Sequence, residues 1–559
     1  MCGKETLFRF KTSSSMEKVF PEKEPVGEGD TEILCALRGE TVSFQICYFW
    51  SGSGKGRGNL EIVSPVKDFV KIRQVKLVPC SYPCNPERDE DYLITWPGVC
   101  PDLLSDIPQA GFPMIRGQWR SLWIDMEVPQ EAEAGIYPVS IRMLKEKELL
   151  GTVEKKLQIL HAVLPKLPVI HTEWLHTDCL SNYYHVEVFS MEYWRIVQNF
   201  VKAAVKRNCN MLLTPVFTPP LDTAVGEERR TVQLVDVYCD KGNYSFGYEW
   251  LERWVVMCQE CGIEYFEISH LFSQWGAVAA PKIMAWKDGT LTKIFGWDTD
   301  SAGEEYQIFL SSFLRSFKEE LEKLQIADKV WFHISDEPNL SQLVSYRAAK
   351  NMVSGELKGF QVFDALSDYE FYKEGLVEQP VCALDHMEPF LENPPEKLWC
   401  YYCTGQGTDV SNRFLALPGY RTRILGVQMY KYQIFGFLHW GFNFYNSECS
   451  YETLNPYMHT DADGAFQAGD PFLVYPGEGG EPEESIRMML MDEAMNDLRA
   501  MKCLEELCGR EAVMQCIEST EEEQITFAQY PRSISYLTKC RERINREIER
   551  GKWEAEWQK

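Results

Sequence analysis

Nowhere in its 559 residues does the chain hold an apolar run long enough to cross a bilayer, which takes about 20 residues as a helix. The stretch Met1–Phe20 has scattered charges and lacks the apolar centre of a secretory signal, so the expected address is the cytoplasm. Positive charge is scarce as well. Lys plus Arg number 57 against 83 Asp plus Glu, leaving a net charge of −26, a field that repels nucleic acid and anionic membranes. Neither is an expected partner. No strand-like run is followed by the Gly-rich turn that binds a nucleotide, and no cofactor is expected. The 19 cysteines are odd in number and many sit in apolar segments, the pattern of reduced, buried thiols. Cys80 with Cys84 and Cys258 with Cys261 have zinc-like spacings, but neither has a second pair at a suitable distance, so no metal is expected.

What is present reads as a folded, multidomain protein, 45% hydrophobic and 25% charged. From Thr31 to about Leu164, short alternating runs such as Glu40–Phe49 and Arg120–Val128 predict a β-sandwich. After Leu164-Pro-Lys-Leu-Pro168 the rhythm becomes strand, helix, strand, with helical stretches at Met191–Arg207, Ser301–Leu324 and Leu340–Leu357. Eight candidate strands start near Ile170, Met211, Ile263, Val330, Gly359, Val381, Leu398 and Gly436, the number that closes a (β/α)8 TIM-like barrel. Past the Gly/Glu/Pro-rich Pro476–Glu484, helical patterns cover Ser485–Glu506 and Ser533–Lys559, expected to pack on the barrel's outside. The expected domains are a sandwich over 1–165, a catalytic barrel over 166–480 and a helical segment over 481–559.

The segment Lys329-Val-Trp-Phe-His-Ile-Ser-Asp-Glu-Pro-Asn339 runs from an apolar strand into two carboxylates and a proline. Asp336 and Glu337 therefore stand at the C-terminal end of the fourth strand, the face on which barrels build active sites. The bland alternative is a pair of acids capping the next helix. Two adjacent acids repel, which raises one pKa and suits one to stay ionised while the other holds a proton. Ordinary glycosidases set two carboxyl groups on opposite sides of a sugar, which sequence neighbours do not readily do. An adjacent pair suits substrate assistance, with Asp336 polarising a 2-acetamido N–H and Glu337 serving as general acid and base.

The chain resembles glycoside hydrolase family 123 over nearly its whole length. The resemblance is carried by His333-Ile-Ser-Asp-Glu-Pro338, Trp440-Gly-Phe-Asn-Phe-Tyr445, Gly469-Asp-Pro-Phe-Leu-Val-Tyr-Pro-Gly477 and Pro97-Gly-Val-Cys-Pro-Asp-Leu-Leu104, in that family's order and spacing. It implies an N-terminal sandwich, a catalytic barrel and β-N-acetylgalactosaminidase activity, with the family's adjacent Asp-Glu pair falling on Asp336 and Glu337. The run Met491-Asp-Glu-Ala-Met-Asn-Asp-Leu498 departs from the family and is expected to alter outer packing rather than chemistry.

Aromatic residues at strand ends can floor a sugar ring. Trp440 is the expected platform, with Phe442 and Tyr445 nearby. Tyr401 and Tyr402 face opposite ways by strand alternation, and Tyr402 is the expected acetamide partner. His176 and Asp178 on the first strand, His270 on the third, Asp385 and His386 on the sixth, and Asn443 are candidates for gripping hydroxyls; structural roles are the rival for each. His333 is expected to be buried and to orient a neighbour. The expected partner is an oligosaccharide or glycoside. Two alternatives stand: a conventional retaining glycosidase with Asp385 or Glu448 as remote nucleophile, and an inactive carbohydrate-binding protein.

Overall fold

The computed structural model describes residues 8–52, 56–520 and 524–557. Met1–Leu7, the start of the N-terminal stretch read for a secretory signal, and the last two residues of the C-terminal helical pattern lie outside these. Contacts divide the chain into two units: residues 1–168, 407–433 and 483–559 form one, and 169–406 with 434–482 the other. The sequence suggests three successive segments; in the structure the C-terminal helices join the N-terminal strands, because their buried faces and charges find partners there.

That first unit carries two five-stranded sheets. One contains Phe8–Ser14, Thr41–Trp50, Trp119–Glu127, Val70–Cys80 and Gly98–Asp106. The other contains Ile33–Arg38, Glu148–Val163, Gly135–Lys145, Gly56–Val63 and Phe112–Met114. Alternate residues enter one apolar cluster from both sheets: Phe44, Ile46, Leu122 and Ile124 from the first, Ile141, Met143, Leu157 and Ile159 from the second. The helix Ile486–Cys508 starts at Ser485, whose hydroxyl accepts from the Met488 N–H, and it is buried on nearly every side. Its charges are satisfied by ion pairs: Arg487 grips Asp102 at 3.0 and 2.9 Å, and Asp497 receives Arg423 at 2.7 Å and Arg541 at 2.8 Å. The run Met491–Leu498 is thus interior, with Asp492, Glu493, Asn496 and Asp497 all buried.

In the second unit eight strands close a parallel barrel: β1 Ile170–Glu173, β2 Met211–Thr214, β3 Tyr265–Ile268, β4 Val330–Phe332, β5 Gln361–Leu366, β6 Gln379–Ala383, β7 Trp399–Tyr401 and β8 Gly436–His439. Each begins within two residues of the expected position, and β1 pairs with β8 from Ile170 opposite Gly436. The long connections after β2 and β3 hold two hairpins, Asp236–Gly247 and Ile283–Phe295, which join as a separate four-stranded sheet. Within each hairpin the strands pair antiparallel across a two-residue turn, Lys241-Gly242 and Asp288-Gly289, and Tyr238 opposite Trp286 joins the two.

Residues two apart along the strands fill the barrel: Met211 and Leu213, Phe363 and Ala365, Val381 and Ala383, Trp399 and Tyr401. Trp399 is the plug, with ring centroids 5.0 Å from Phe363, 5.6 Å from Phe435 and 6.3 Å from Trp331. Gly436 makes room for it, since a Cβ there would meet the Trp399 ring at 2.2 Å. The surrounding aromatics leave that ring no space to retreat. Gly436→Ala is therefore expected to overpack the barrel by about 1–3 kcal/mol, lowering the urea midpoint; an unchanged midpoint would contradict this packing.

Candidate active site

Paired strand ends at Phe332, and the next residues carry the chain over the C-terminal rim of the barrel. Ser335 pins that extension, donating to the Ser273 carbonyl at 2.9 Å and accepting from the Gly276 N–H at 3.3 Å. The Asp336 carbonyl accepts from the Trp275 N–H at 3.1 Å. Glu337 then takes a left-handed backbone, φ +39°, a conformation that costs a non-glycine residue roughly 1–3 kcal/mol and gathers at functional sites.

Both carboxylates line one cleft. Its aromatic walls are Trp174, Trp275, Tyr401, Trp440 and Phe466, and its other polar groups include Asp222, Gln274 and Thr404. These residues follow or end strands β1, β4, β7 and β8 or come from the loops after β2 and β3, so the cleft belongs to the strands' C-terminal end. Burial, then repulsion from Glu337, holds the Asp336 carboxyl well above the usual carboxylate range, with the His333 cation pulling the other way. Burial raises Glu337 too, and Asp385 adds to it; Tyr401, donating to Glu337 Oε1 at 2.6 Å, opposes the rise.

Beneath the pair lies a charged network in the barrel interior. His333 Nε2 meets Glu267 Oε1 at 2.6 Å and Nδ1 meets Asp364 Oδ1 at 3.0 Å. Burial alone would lower the His333 pKa, but its hydrogen bonds to Asp364 and Glu267 and their charges raise it to about 9, so the ring is an imidazolium. Glu267 also accepts from Thr172 Oγ1 and from Trp174 Nε1, each at 2.6 Å. Asp364 also accepts from the Ile334 N–H at 3.0 Å and the Tyr346 hydroxyl at 2.5 Å. One network therefore holds both a cleft wall, Trp174, and the backbone leading to Asp336. His270, His333 and Asp364 place three potential ligand atoms within 4.8 Å of one another. Both His333 nitrogens are engaged by carboxylates, which accounts for the grouping as a hydrogen-bonded imidazolium.

The remaining expected site residues divide. Trp440 lines the cleft, its Nε1 donating to Asp470 at 3.0 Å. Tyr402 does not: it is fully buried against Phe437 and His439, and Tyr401 takes the cleft position, because residue 399 packs inward and the pleat turns 401 the same way. His270 is also a correction. It is buried, stacked on His333 at 4.2 Å with its edge to Trp174, and kept neutral by burial and by the His333 charge. His176 and Asp178 lie behind the cleft around Arg229, which pairs with Asp178 at 2.8 and 2.7 Å and reaches His176 Nδ1 at 3.1 Å. His176 Nε2 faces the Trp440 carbonyl at 2.7 Å, so Nε2 donates and Nδ1 accepts. Burial, reinforced by Arg229, depresses the His176 pKa to about 3. Asn443 exchanges two hydrogen bonds with the His176 backbone, at 2.8 and 3.1 Å, and is structural. Asp385 accepts from Gln406 at 3.1 Å and meets the ring of His386 at 2.8 Å; it acts on Glu337 through charge and does not line the cleft. Glu448 is exposed and outside it.

Glu267, Asp364, Trp174, Asp222 and Arg229 were not singled out from sequence. Acids inside the apolar strands Tyr265–Ile268 and Gln361–Leu366 are a usable signal, since a carboxylate is almost never buried unpaired. Nothing local marks Arg229, whose partners are about 50 residues away.

The family described as glycoside hydrolase 123, catalytic domain, matches residues 174–504. A family 123 glycoside hydrolase from Clostridium perfringens, studied for glycolipid glycan hydrolysis, superposes with a TM-score of 0.75 at 15% identity, covering 99% of each chain. A family 39 glycoside hydrolase from the gut symbiont Bacteroides cellulosilyticus WH2 gives a TM-score of 0.34 at 10% identity, covering 84% of this chain and 82% of its own. No curated protein matches the sequence.

The buried imidazolium has a pH signature. A folded pKa near 9 above an unfolded value of 6.5 means the stabilisation is complete below pH 6.5 and is lost as pH rises through 9, on the order of 3 kcal/mol in all. The stability gap between wild type and His333→Gln, measured by urea unfolding, is expected to narrow over that window. A gap constant from pH 6 to pH 10 would show that His333 carries no buried charge.

Proposed function

The chain belongs to glycoside hydrolase family 123, and from that premise we propose that it is a retaining, exo-acting β-N-acetylhexosaminidase, preferring N-acetylgalactosamine, whose nucleophile is the substrate's own acetamido oxygen. The observation carrying this reading is that two sequence-adjacent carboxylates share one aromatic-walled cleft, both with raised pKa. The galacto preference rests on the family resemblance. In the same reading the barrel is a (β/α)8 barrel, the N-terminal sheets form a β-sandwich, and the enzyme works in the cytoplasm on imported oligosaccharides, a setting suited to the 18 free cysteines among the described residues.

Burial raises both carboxyls and the Glu337 charge raises Asp336 further, which favours a shared proton on the pair. The Tyr401 hydroxyl stabilises the charged form of Glu337, which favours the proton on Asp336. When the sugar enters, its acetamide N–H donates to Asp336, favouring the carboxylate there, and the proton passes to Glu337. The substrate thus arms the acid. Glu337 gives that proton to the departing oxygen while the acetamide oxygen attacks the anomeric carbon, and Asp336 stabilises the resulting oxazolinium. Glu337, now a carboxylate, takes a proton from the water that opens the ring from the face the aglycone left, so configuration is retained. Trp174 and Trp440 supply the flat apolar walls against which the sugar's C–H face packs.

A conventional two-carboxylate route requires a further acid in the cleft. Asp385 and Glu448 do not line it. Asp222 does.

Leaving-group acidity separates the two roles. Glu337→Gln is expected to lose about 10²–10⁴-fold on substrates with poor leaving groups and to regain most of the first-step rate on dinitrophenyl glycosides, which need no protonation. Asp336→Asn is expected to lose about 10²–10³-fold on both, and a thiazoline mimic of the cyclised intermediate should inhibit it far less than wild type. Equal recovery of both variants, or wild-type indifference to the thiazoline, would refute substrate assistance.

A further inference from the structure

The loop after β2 reads Thr218-Pro-Pro-Leu-Asp-Thr223, and it delivers a third carboxylate to the cleft. Asp222 has φ +42°, a left-handed backbone that Asn and Asp tolerate better than other side-chain-bearing residues. Two other loops lock it there. Its N–H donates to Gln274 Oε1 at 2.6 Å, its carbonyl accepts from Ser450 Oγ at 2.6 Å, and Gln274 Nε2 closes the clamp on the Thr223 carbonyl at 3.1 Å. The carboxylate is anchored on one side only: Oδ2 accepts from the Cys449 N–H at 3.0 Å.

Among the described residues no side chain donates to the Asp222 carboxyl, and the nearest guanidinium, Arg229, is committed to Asp178, His176 and the Leu221 carbonyl. A rigid, half-buried acceptor without a cation, facing a cleft walled by tryptophans, is built for a neutral donor that arrives with the ligand. A sugar hydroxyl fits, because a charge-assisted bond to it is strong and a ligand lacking it leaves a partly desolvated carboxylate unpaired. Gln274, beside it in the cleft, is spent on holding the loop. We propose that Asp222 is a specificity-determining residue that accepts a hydrogen bond from one ring hydroxyl of the bound sugar, across the cleft loops from the catalytic pair.

Burial raises the Asp222 pKa to about 6, against the opposing pull of Arg229 and the Cys449 N–H. The group is thus mostly ionised at neutral pH and loses its acceptor charge in mild acid.

The proposal rests on the hexosaminidase reading for the class of sugar, so its test uses both binding and turnover. Asp222→Asn keeps the left-handed backbone and the shape. Asp222→Gly relieves the backbone and removes the side chain altogether. Both are expected to retain the wild-type melting temperature within a few degrees. On an aryl 2-acetamido glycoside both should raise KM by about 10–100-fold, the range for a hydrogen bond to a charged group, with kcat changed less than about fivefold. Among monodeoxy analogues of that substrate, one should lose the same factor with wild type and nothing further with the variants. Calorimetric titration of the free N-acetylhexosamine should show the same loss of affinity. A collapse of kcat with KM preserved, rescued by azide to give a glycosyl azide, would overturn the proposal and make Asp222 a nucleophile. Unchanged kinetics, or additive losses on every analogue, would also overturn it. If wild type binds the free sugar through Asp222 but turns over no acetamido glycoside, the proposed function fails while this assignment stands; if wild type binds no such sugar, both fail.

Discussion

The imidazolium of His333 between Glu267 and Asp364 is the interaction on which the rest of the cleft depends. A cation in a barrel interior is costly unless it is paired and hydrogen-bonded on every polar atom, and here each ring nitrogen has a carboxylate. The two carboxylates are in turn filled by Thr172, Trp174, Tyr346 and the Ile334 amide. Strands β1, β3 and β5 and the start of the rim segment after β4 are thereby tied to one centre. Removing any member would leave another buried and unsatisfied, so the arrangement is held as a unit.

That centre bears on chemistry in two ways. It sets the His333 cation under Asp336, where it works against burial and the Glu337 charge, while the Asp364 and Glu267 charges partly offset it. It also fixes the indole of Trp174 by its N–H, so that one aromatic wall and the backbone leading to the Asp336 carboxyl are set by the same hydrogen bonds. Trp440, at the end of the adjacent strand β8, has its own support. Asp470 holds the Trp440 indole, while His176, kept neutral by burial and Arg229, holds the Trp440 backbone. Several residues with sugar-binding chemistry are used instead as this scaffold, which is how a cleft of large aromatic rings keeps its shape without a ligand.

Much of this was legible along the chain. Eight largely apolar runs at strand length, separated by helical periodicity, mark the barrel, since a strand buried on both faces is mostly apolar. The acids after Ser335 are marked as catalytic-face residues by the strand before them and the proline after them. The hairpins over Asp236–Gly247 and Ile283–Phe295 lie in long connections that do not read as barrel strands, although each turns on a two-residue Lys-Gly or Asp-Gly pair with positive φ, the local mark of a hairpin. The helix Ile486–Cys508 shows the limit of local pattern. Its polar run reads as a solvated face, yet Arg423, Arg541 and Asp102 bury it from positions far away in sequence.

By itself, then, the sequence determined the order of elements, the barrel, and which two carboxylates stand at its mouth, because those follow from local periodicity and from what must end a strand. Only the tertiary structure decided which polar groups face the cleft and which are consumed in holding its walls. His176, His270, Asn443 and Tyr402 have the right chemistry and the wrong surroundings, whereas Tyr401 and Asp222 face the cleft. That choice turns on the direction of a side chain and on whether a distant partner has already taken its hydrogen-bonding capacity, and a linear sequence carries neither.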